Sequence, residues 1–566
     1  MSRILFLTAG PMPALGLLLA LALLAAGSPA TANEPADFSA GRLWVPDAAL
    51  GDVTPAQRHA RWQRNVVNVA KPALALAGAA LLGWGAWLRR AGHAGRGRRL
   101  RDALLALLGV AGFAGWWNFG FFHYPEFVHP HEFFHYTIGA KYYPELGYTR
   151  LYTCTTAADV EAGLGARVAT RRMTDLENYE LVPAAEAAAD PQRCKQFFSP
   201  ERWKLFTGDI AWFRERMEPD AWEQLQRDHG YNPTPVWGIL GRALLGDGPL
   251  RAERVATLSL VDPMLIVSLW ALAALAFGWR AACVGLLYWG TNHPAEYSWV
   301  GGAYLRHDWL LASVAGFALL RHRRPVAAGF LLGWASLLRV FPALFLAPVA
   351  FRALGPLRRD RRLAPVHRGI ALGTLLAVAL GVPLSIWSSG GSAWPAFAEN
   401  ARVHAAALSN NALGLGVLVH HVPDASEKRL AERGQDLGRA WKQARRTSRS
   451  TRWPLFFLLA ALLVAGIAWA SRRVPDWEAA ILGVGLVPIL LEPAGYYTSI
   501  FLAYAFLRSG GEAVGAALCL LSVAGWLAAA LWLQWDEIAV ATSAALILFI
   551  GVASWLAGRR AVQAEP

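Results

Sequence analysis

Apolar residues run along this chain in long blocks, separated by short basic loops and by two extended polar stretches. A first block lies between about Pro13 and Ala26, and further spans are read at 67–88 and 102–122. A second series follows at 255–278, 281–291, 308–320, 325–339, 342–352, 368–388, 453–471, 477–491, 496–508, 513–533 and 538–557. A bilayer-crossing helix needs about 20 apolar residues, within a range of roughly 17–25. The pattern therefore predicts an all-α polytopic membrane protein, with about 13 transmembrane helices after residue 66. Several spans are short for straight helices, and Pro342 interrupts the pair covering 325–352. Inside a membrane such breaks are tolerated where protein or a water-filled cavity satisfies the freed backbone groups.

The polar stretches divide the chain. Residues 1–33 read as a signal peptide or N-terminal anchor, and 34–66 as an extracytoplasmic segment. A transmembrane hairpin over 67–122 leads into a polar segment, 123–235, long enough for a small folded cap. Its aromatic residues recur at near-helical spacing in "WKLFTGDIAWFRERMEPDAWEQLQRDHG" (203–230), so the cap is expected to be mainly helical. Transmembrane helices over 236–388 precede a second extracytoplasmic stretch, 389–452, whose part 427–452 reads as a charged surface helix. Residues 453–566 complete the C-terminal transmembrane helices and a cytoplasmic tail.

Composition agrees with this division. Hydrophobic residues make up 55% of the 566, charged residues only 17%, and 26 tryptophans are available as interfacial anchors. The net charge of +14 sits in "RRAGHAGRGRRLR" (89–101), "RHRR" (321–324), "RRDRR" (358–362), "SRR" (471–473) and "GRR" (558–560). Each cluster flanks an apolar span, as the positive-inside rule requires of cytoplasmic loops. Threading the spans alternately places all of them inside and both polar stretches outside, the basic 427–452 being the exception to the trend. The expected location is a bacterial cytoplasmic (inner) membrane, with the functional face extracytoplasmic. No basic-aromatic stripe accompanies the charge, so a nucleic-acid partner is not expected. Cys154 and Cys194 share the outer segment and are expected to form a disulfide in an oxidising compartment, whereas Cys283 and Cys519 lie in apolar spans.

The candidate chemistry begins at "HPHEFFHY" (129–136), which contains the zinc-hydrolase pattern H-E-x-x-H. On a helix His131 and His135 share a face, with His123 and His129 nearby in sequence. A catalytic zinc takes three protein ligands. The next histidine is His229, and "LVDPM" (260–264) is only a remote echo of an acidic third ligand. No metal site is therefore expected, and a zinc metalloprotease or hydrolase built on His131, Glu132 and His135 is the alternative. A transporter or flippase is a second alternative, opposed by the lack of an internal repeat.

Read more widely, "HEFFHYTIGAKYYPELGYTRLY" (131–152) aligns Glu132, Tyr136, Gly139 and Tyr143 on one helix face, close beyond a membrane span. This stretch resembles glycosyltransferase family 87, of the GT-C class of multi-spanning enzymes that use polyprenyl-phosphate sugars. An Asp followed four residues later by Tyr, and then a Gly-x-x-Leu-Tyr ending, matches Glu132, Tyr136 and Gly147 to Tyr152, with one extra residue before Leu151. "AAGFLLGWASLLRVFPALFL" (327–346) is similar to the family's small-residue helix, with Arg339 at the usual Lys. "SNNALGLGVL" (409–418) resembles its Asn-containing external segment. "LEPAGYYTSIFLAYAFL" (491–507) resembles its Ser-Pro-x-x-Trp-x-His stretch, with Tyr496 and Tyr497 replacing Trp and His. The resemblance covers roughly 100–510. It departs in the Glu for Asp, in the missing His and in the long insert 153–235.

The resemblance implies a GT-C-like arrangement of helices and sugar transfer, with mannose the family's usual sugar. The donor would be a polyprenyl-phosphate-linked sugar and the acceptor a glycan, lipid or protein. Glu132 is then the expected base for the acceptor hydroxyl, with Asp209 and Glu126 in reserve. Arg306, His307 and Arg339 are expected to face the lipid phosphate, a cation inside an apolar run being functional by default. Tyr136, Tyr496 and Tyr497 are expected to contact sugar, and Asn410 and Asn411 the acceptor. This chemistry requires no cofactor and leaves room for a divalent cation.

Overall fold

The computed structural model describes residues 54–531 and 534–561, so the expected signal peptide or anchor over 1–33 lies outside the described residues. The chain is almost wholly helical. Its one sheet among the described residues is an antiparallel pair, Arg172–Asp175 against Glu180–Pro183, inside the insert that was expected to be mainly helical.

Six helices among the described residues are long and apolar enough to cross a bilayer: Pro55–Arg90, Ala252–Phe277, Pro365–Ser389, Leu437–Ser471, Gly511–Leu531 and Trp535–Arg559. These six do not support the expected count of about 13. The other apolar stretches form shorter elements, such as Pro325–Leu338 and the 3-10 helix Gly495–Phe506. At 1.5 Å per residue the 14-residue helix covers only about 21 Å of a roughly 30 Å hydrocarbon layer. Gly495–Phe506 is apolar because it is packed inside protein: Ile500, Phe501, Leu502 and Ala503 are all buried. On the long helices, by contrast, large apolar side chains face outward, with Leu275 85% and Leu462 62% exposed, as a lipid-facing surface requires.

Local sequence explains the boundaries. Thr54 accepts from the Gln57 N–H and Gln57 reaches back to the Thr54 N–H, a reciprocal cap that starts Pro55–Arg90. Arg98–Trp116 packs on Trp279–Thr291 through Gly112 and Gly290: a Cβ on Gly290 would lie 1.7 Å from the Gly112 carbonyl oxygen, so this crossing needs glycine. Trp116 and Trp289 stack there at 4.0 Å. The charged helix expected over 427–452 is not a separate element. Residues 437–452 run without a break into apolar residues 453–471 as one 35-residue helix containing Pro454.

In the insert, Cys154 and Cys194 are joined by a disulfide with a Cα–Cα distance of 5.3 Å. Asp159, fully buried, accepts from Arg171, Arg214 and the Trp222 indole at 2.8–2.9 Å. Asp209, a reserve base in the sequence reading, is committed in the same way. It accepts from the Lys141 ammonium at 2.5 Å, the Tyr142 hydroxyl at 2.8 Å and the Leu250 N–H at 2.8 Å. The insert is tied to the apolar helix Pro325–Leu338 through Thr234, which donates to the Leu337 carbonyl at 2.5 Å, and just beyond the insert Trp237 donates to the Leu305 carbonyl at 3.0 Å.

Candidate active site

Pro130 occupies the first turn of the helix Pro130–Lys141, where its missing N–H costs nothing, and so starts the HEFFH helix immediately after His129. The helical repeat then stacks His131 over His135, and Glu132 over Tyr136. All four line one cavity of about 900 Å³. Arg306, Arg339, Asn411, Tyr496 and Tyr497 line it as well.

Glu132 Oε2 lies 3.0 Å from Arg306 Nε, and the Arg306 side chain is only 3% exposed. The guanidinium is stacked over the Tyr136 ring at 4.3 Å and faces the Tyr496 ring at 5.3 Å. Its backbone is pinned by a residue that the sequence suggested only as a remote echo of a metal ligand. Asp262, the acid of "LVDPM", accepts from the Arg306 N–H at 2.9 Å and the His307 N–H at 3.3 Å, and meets His307 Nδ1 at 3.1 Å. The preceding residue, Leu305, has φ +53°, a left-handed conformation that costs a bulky residue roughly 1–3 kcal/mol. The Trp237 and Asp262 contacts hold it in place. His307 thus supports Arg306 from behind and is not part of the cavity lining.

Arg339 sits where the helix Pro325–Leu338 stops, with extended φ −144° and ψ 118°, ahead of the 3-10 turn Phe341–Leu346. Pro342 explains the break, because it has no N–H to donate to the Leu338 carbonyl four residues earlier and its ring crowds that carbonyl. Arg339 is 7% exposed and donates once, from Nη1 to the Leu338 carbonyl at 3.0 Å. Its Nε and Nη2 have no hydrogen-bond partner among the described residues. A buried guanidinium with donors to spare is fitted to an anion.

The remaining candidates separate. Asn410 donates to Glu427 at 2.8 Å and lines a different, much smaller cavity, while Asn411 accepts from the Ser409 hydroxyl at 2.6 Å and stays in the large one. Glu126 is exposed and does not line the cavity. Trp453, Phe456 and Phe457, at the start of the apolar half of Leu437–Ser471, form another wall. Trp453 and Phe457 are 56% and 60% exposed, so the cavity reaches the outward surface of that membrane-length helix.

Two groups were missed by the sequence reading. Glu492 lines the cavity and pairs with Arg445 at 2.8 Å, with His420 Nδ1 3.8 Å from its other oxygen. Asp228, in the loop after the helix Pro219–Leu225, places Oδ2 2.9 Å from His131 Nε2, 97 residues away in sequence. A ligand atom from each of His131, His135 and Asp228 lies within 4.8 Å of the other two. The acidic neighbour absent from the local sequence is therefore supplied by a loop, which no helical spacing announces.

These charges set the ionisation of the site. Burial raises the Glu132 carboxyl above its ordinary 4.5, and the Arg306 and His131 charges only partly oppose it. Burial alone would lower His131, but the Asp228 hydrogen bond and charge outweigh it and raise the imidazole above 6.5. Asp228 responds in kind: burial favours its neutral form, yet His131 holds it well below the usual carboxylate range. Burial pushes His135 down to about 3, so it is neutral near pH 7. The polar end of the cavity thus offers one carboxylate of raised basicity, two buried guanidinium groups and one neutral imidazole. No protein-family model, curated protein or solved structure matches the chain.

Proposed function

We propose that this protein is an integral-membrane glycosyltransferase of GT-C type, moving a sugar from a polyprenyl-phosphate donor to a hydroxyl acceptor on the extracytoplasmic side. One observation carries the reading. Glu132 and the unsatisfied Arg339 line a single cavity, one wall of which is the exposed apolar face of a membrane-length helix. Such a cavity suits a ligand with a lipid tail, a phosphate and a polar head.

In this reaction the acceptor oxygen attacks the anomeric carbon while Glu132 takes the hydroxyl proton. The bond from the anomeric carbon to the phosphate oxygen breaks, and polyprenyl phosphate leaves with the electron pair. Arg339 and Arg306, which line the same cavity, meet the charge that grows on the leaving phosphate. A single displacement of this kind inverts the anomeric configuration. Tyr136, Tyr496, Tyr497 and Asn411 are placed to contact the sugar or the acceptor.

The test is transfer from radiolabelled polyprenyl-phosphate mannose by protein in lipid nanodiscs, with envelope glycans as acceptor. Wild type is expected to turn over and Glu132→Gln to lose about 10²–10⁴-fold of the rate. Undiminished transfer by Glu132→Gln would remove the proposed base.

A further inference from the structure

A second kind of chemistry is assembled at the same end of the cavity. His131 and His135 stand one turn apart on the HEFFH helix, and Asp228 closes the third side from its loop, the three ligand atoms lying within 4.8 Å of one another. Around a tetrahedral divalent ion with bonds of roughly 2.1 Å, ligand atoms stand about 3.4 Å apart. Small side-chain rotations therefore convert one arrangement into the other.

Two of the three ligands, His135 and Asp228, already have the outer contact that a metal ligand needs. His135 Nδ1 contacts the His131 carbonyl at 2.9 Å, which fixes the tautomer and leaves Nε2 as the lone pair. Asp228 accepts from the His229 N–H at 2.8 Å through Oδ1, leaving Oδ2 for the cluster. His131 Nε2 is the atom that now meets Oδ2 at 2.9 Å, a contact in which a shared proton occupies the place of a cation. All three residues line the cavity, so the remaining coordination position opens onto it beside Glu132.

We infer that His131, His135 and Asp228 form a site for one divalent transition-type cation, with zinc the best match to two imidazoles and one carboxylate. The inference goes beyond the transferase reading and does not require sugar transfer. Tyr152 is its competitor. The Tyr152 hydroxyl lies 2.6 Å from His135 Nε2 and itself accepts from the Gly230 N–H at 3.0 Å. A bound cation takes that lone pair, and the hydroxyl must give up its hydrogen bond.

The experiment uses full-length protein in detergent, purified without a histidine tag and stripped with a chelator. Titration with Zn²⁺ alone is expected to load one ion per chain. Asp228→Asn should weaken binding at least tenfold, and Tyr152→Phe should tighten it about tenfold by removing the competing hydrogen bond. Because a ligand variant can misfold, wild-type protein is also titrated with Co²⁺, whose visible bands report a nitrogen-rich site of low coordination number. A wild type that binds no Zn²⁺ and leaves the Co²⁺ spectrum that of the aqueous ion overturns the inference. So does retention of full affinity by a folded Asp228→Asn. A chain that moves sugar yet binds no ion would refute this site alone, and one that binds the ion yet transfers normally as Glu132→Gln would refute the transferase reading alone.

Discussion

Glu132 Oε2 and Arg306 Nε are 3.0 Å apart, and neither atom completes a hydrogen bond among the described residues. The two charges attract, but the N–H does not point along the line between them, so donor and lone pair both remain available to a ligand. The guanidinium is held in that attitude by the Tyr136 and Tyr496 rings, and its backbone by Asp262. In the proposed reaction this geometry favours the ionised form of the base without occupying the electron pair that must take the proton.

The pairing sets the direction of a pH effect. Glu132 acts as base only when deprotonated, and its carboxyl is raised by burial, with Arg306 the largest opposing influence. Arg306→Gln removes that opposition and raises the carboxyl further. The acid limb of the kcat/KM profile is expected to move to higher pH, whereas its position in Arg306→Lys should stay near that of wild type. An unmoved limb in Arg306→Gln would separate Glu132 from the step that limits the rate.

Arg339 should trade stability for function. It is buried with two unsatisfied nitrogens, and an uncompensated buried donor costs about 1–3 kcal/mol. Arg339→Met is therefore expected to leave the thermal midpoint unchanged or raise it, while the KM for the polyprenyl-phosphate donor rises about tenfold or more. A large fall in stability would mean that the guanidinium serves the fold and not an anion.

In metal-free protein the His131–Asp228 pair predicts a pH window for stability. His131 is raised above 6.5, so its contribution is complete below that value and is lost as pH climbs through the raised one. Asp228 is depressed below 3.8, so its contribution is complete above that value and is lost as pH falls through the depressed one. The difference in thermal midpoint between wild type and Asp228→Asn should be largest between the ordinary values 3.8 and 6.5 and shrink as pH climbs through the raised His131 value. A difference independent of pH would show that the pair carries no linked proton.

The disulfide joins residues 40 apart in sequence, and closing a loop of that size stabilises by about 4 kcal/mol in the chain-entropy treatment. Replacing both Cys154 and Cys194 by Ala should lower the unfolding free energy of the insert by a comparable amount. Chemical denaturation followed by tryptophan fluorescence, with Trp203, Trp212 and Trp222 in this region, reads the change. Equal stability with and without the bond would contradict it.

Much of the helical architecture was legible because it is local. An apolar block of bilayer length satisfies its own backbone as a helix, and Pro342 marks a break through chemistry confined to a few residues, whereas the start of the first helix at Thr54, ahead of its apolar block, was not read. The span count was not legible because hydropathy reports burial without saying what does the burying: Gly495–Phe506 is apolar for the sake of protein neighbours. The boundary drawn at 452/453 marked a change of solvent along one helix, Leu437–Ser471.

Within the site, the four-residue spacing by itself determined that His131 stacks on His135 and Glu132 on Tyr136, since one helical turn suffices for both. Only the tertiary structure decided that Asp228 meets His131 and that Arg306 meets Glu132. It also turned His307 towards Asp262 and brought Arg339 into the same cavity. These meetings depend on how distant segments cross in space, and a pattern read along the chain carries no record of which charged side chain the next loop will bring alongside.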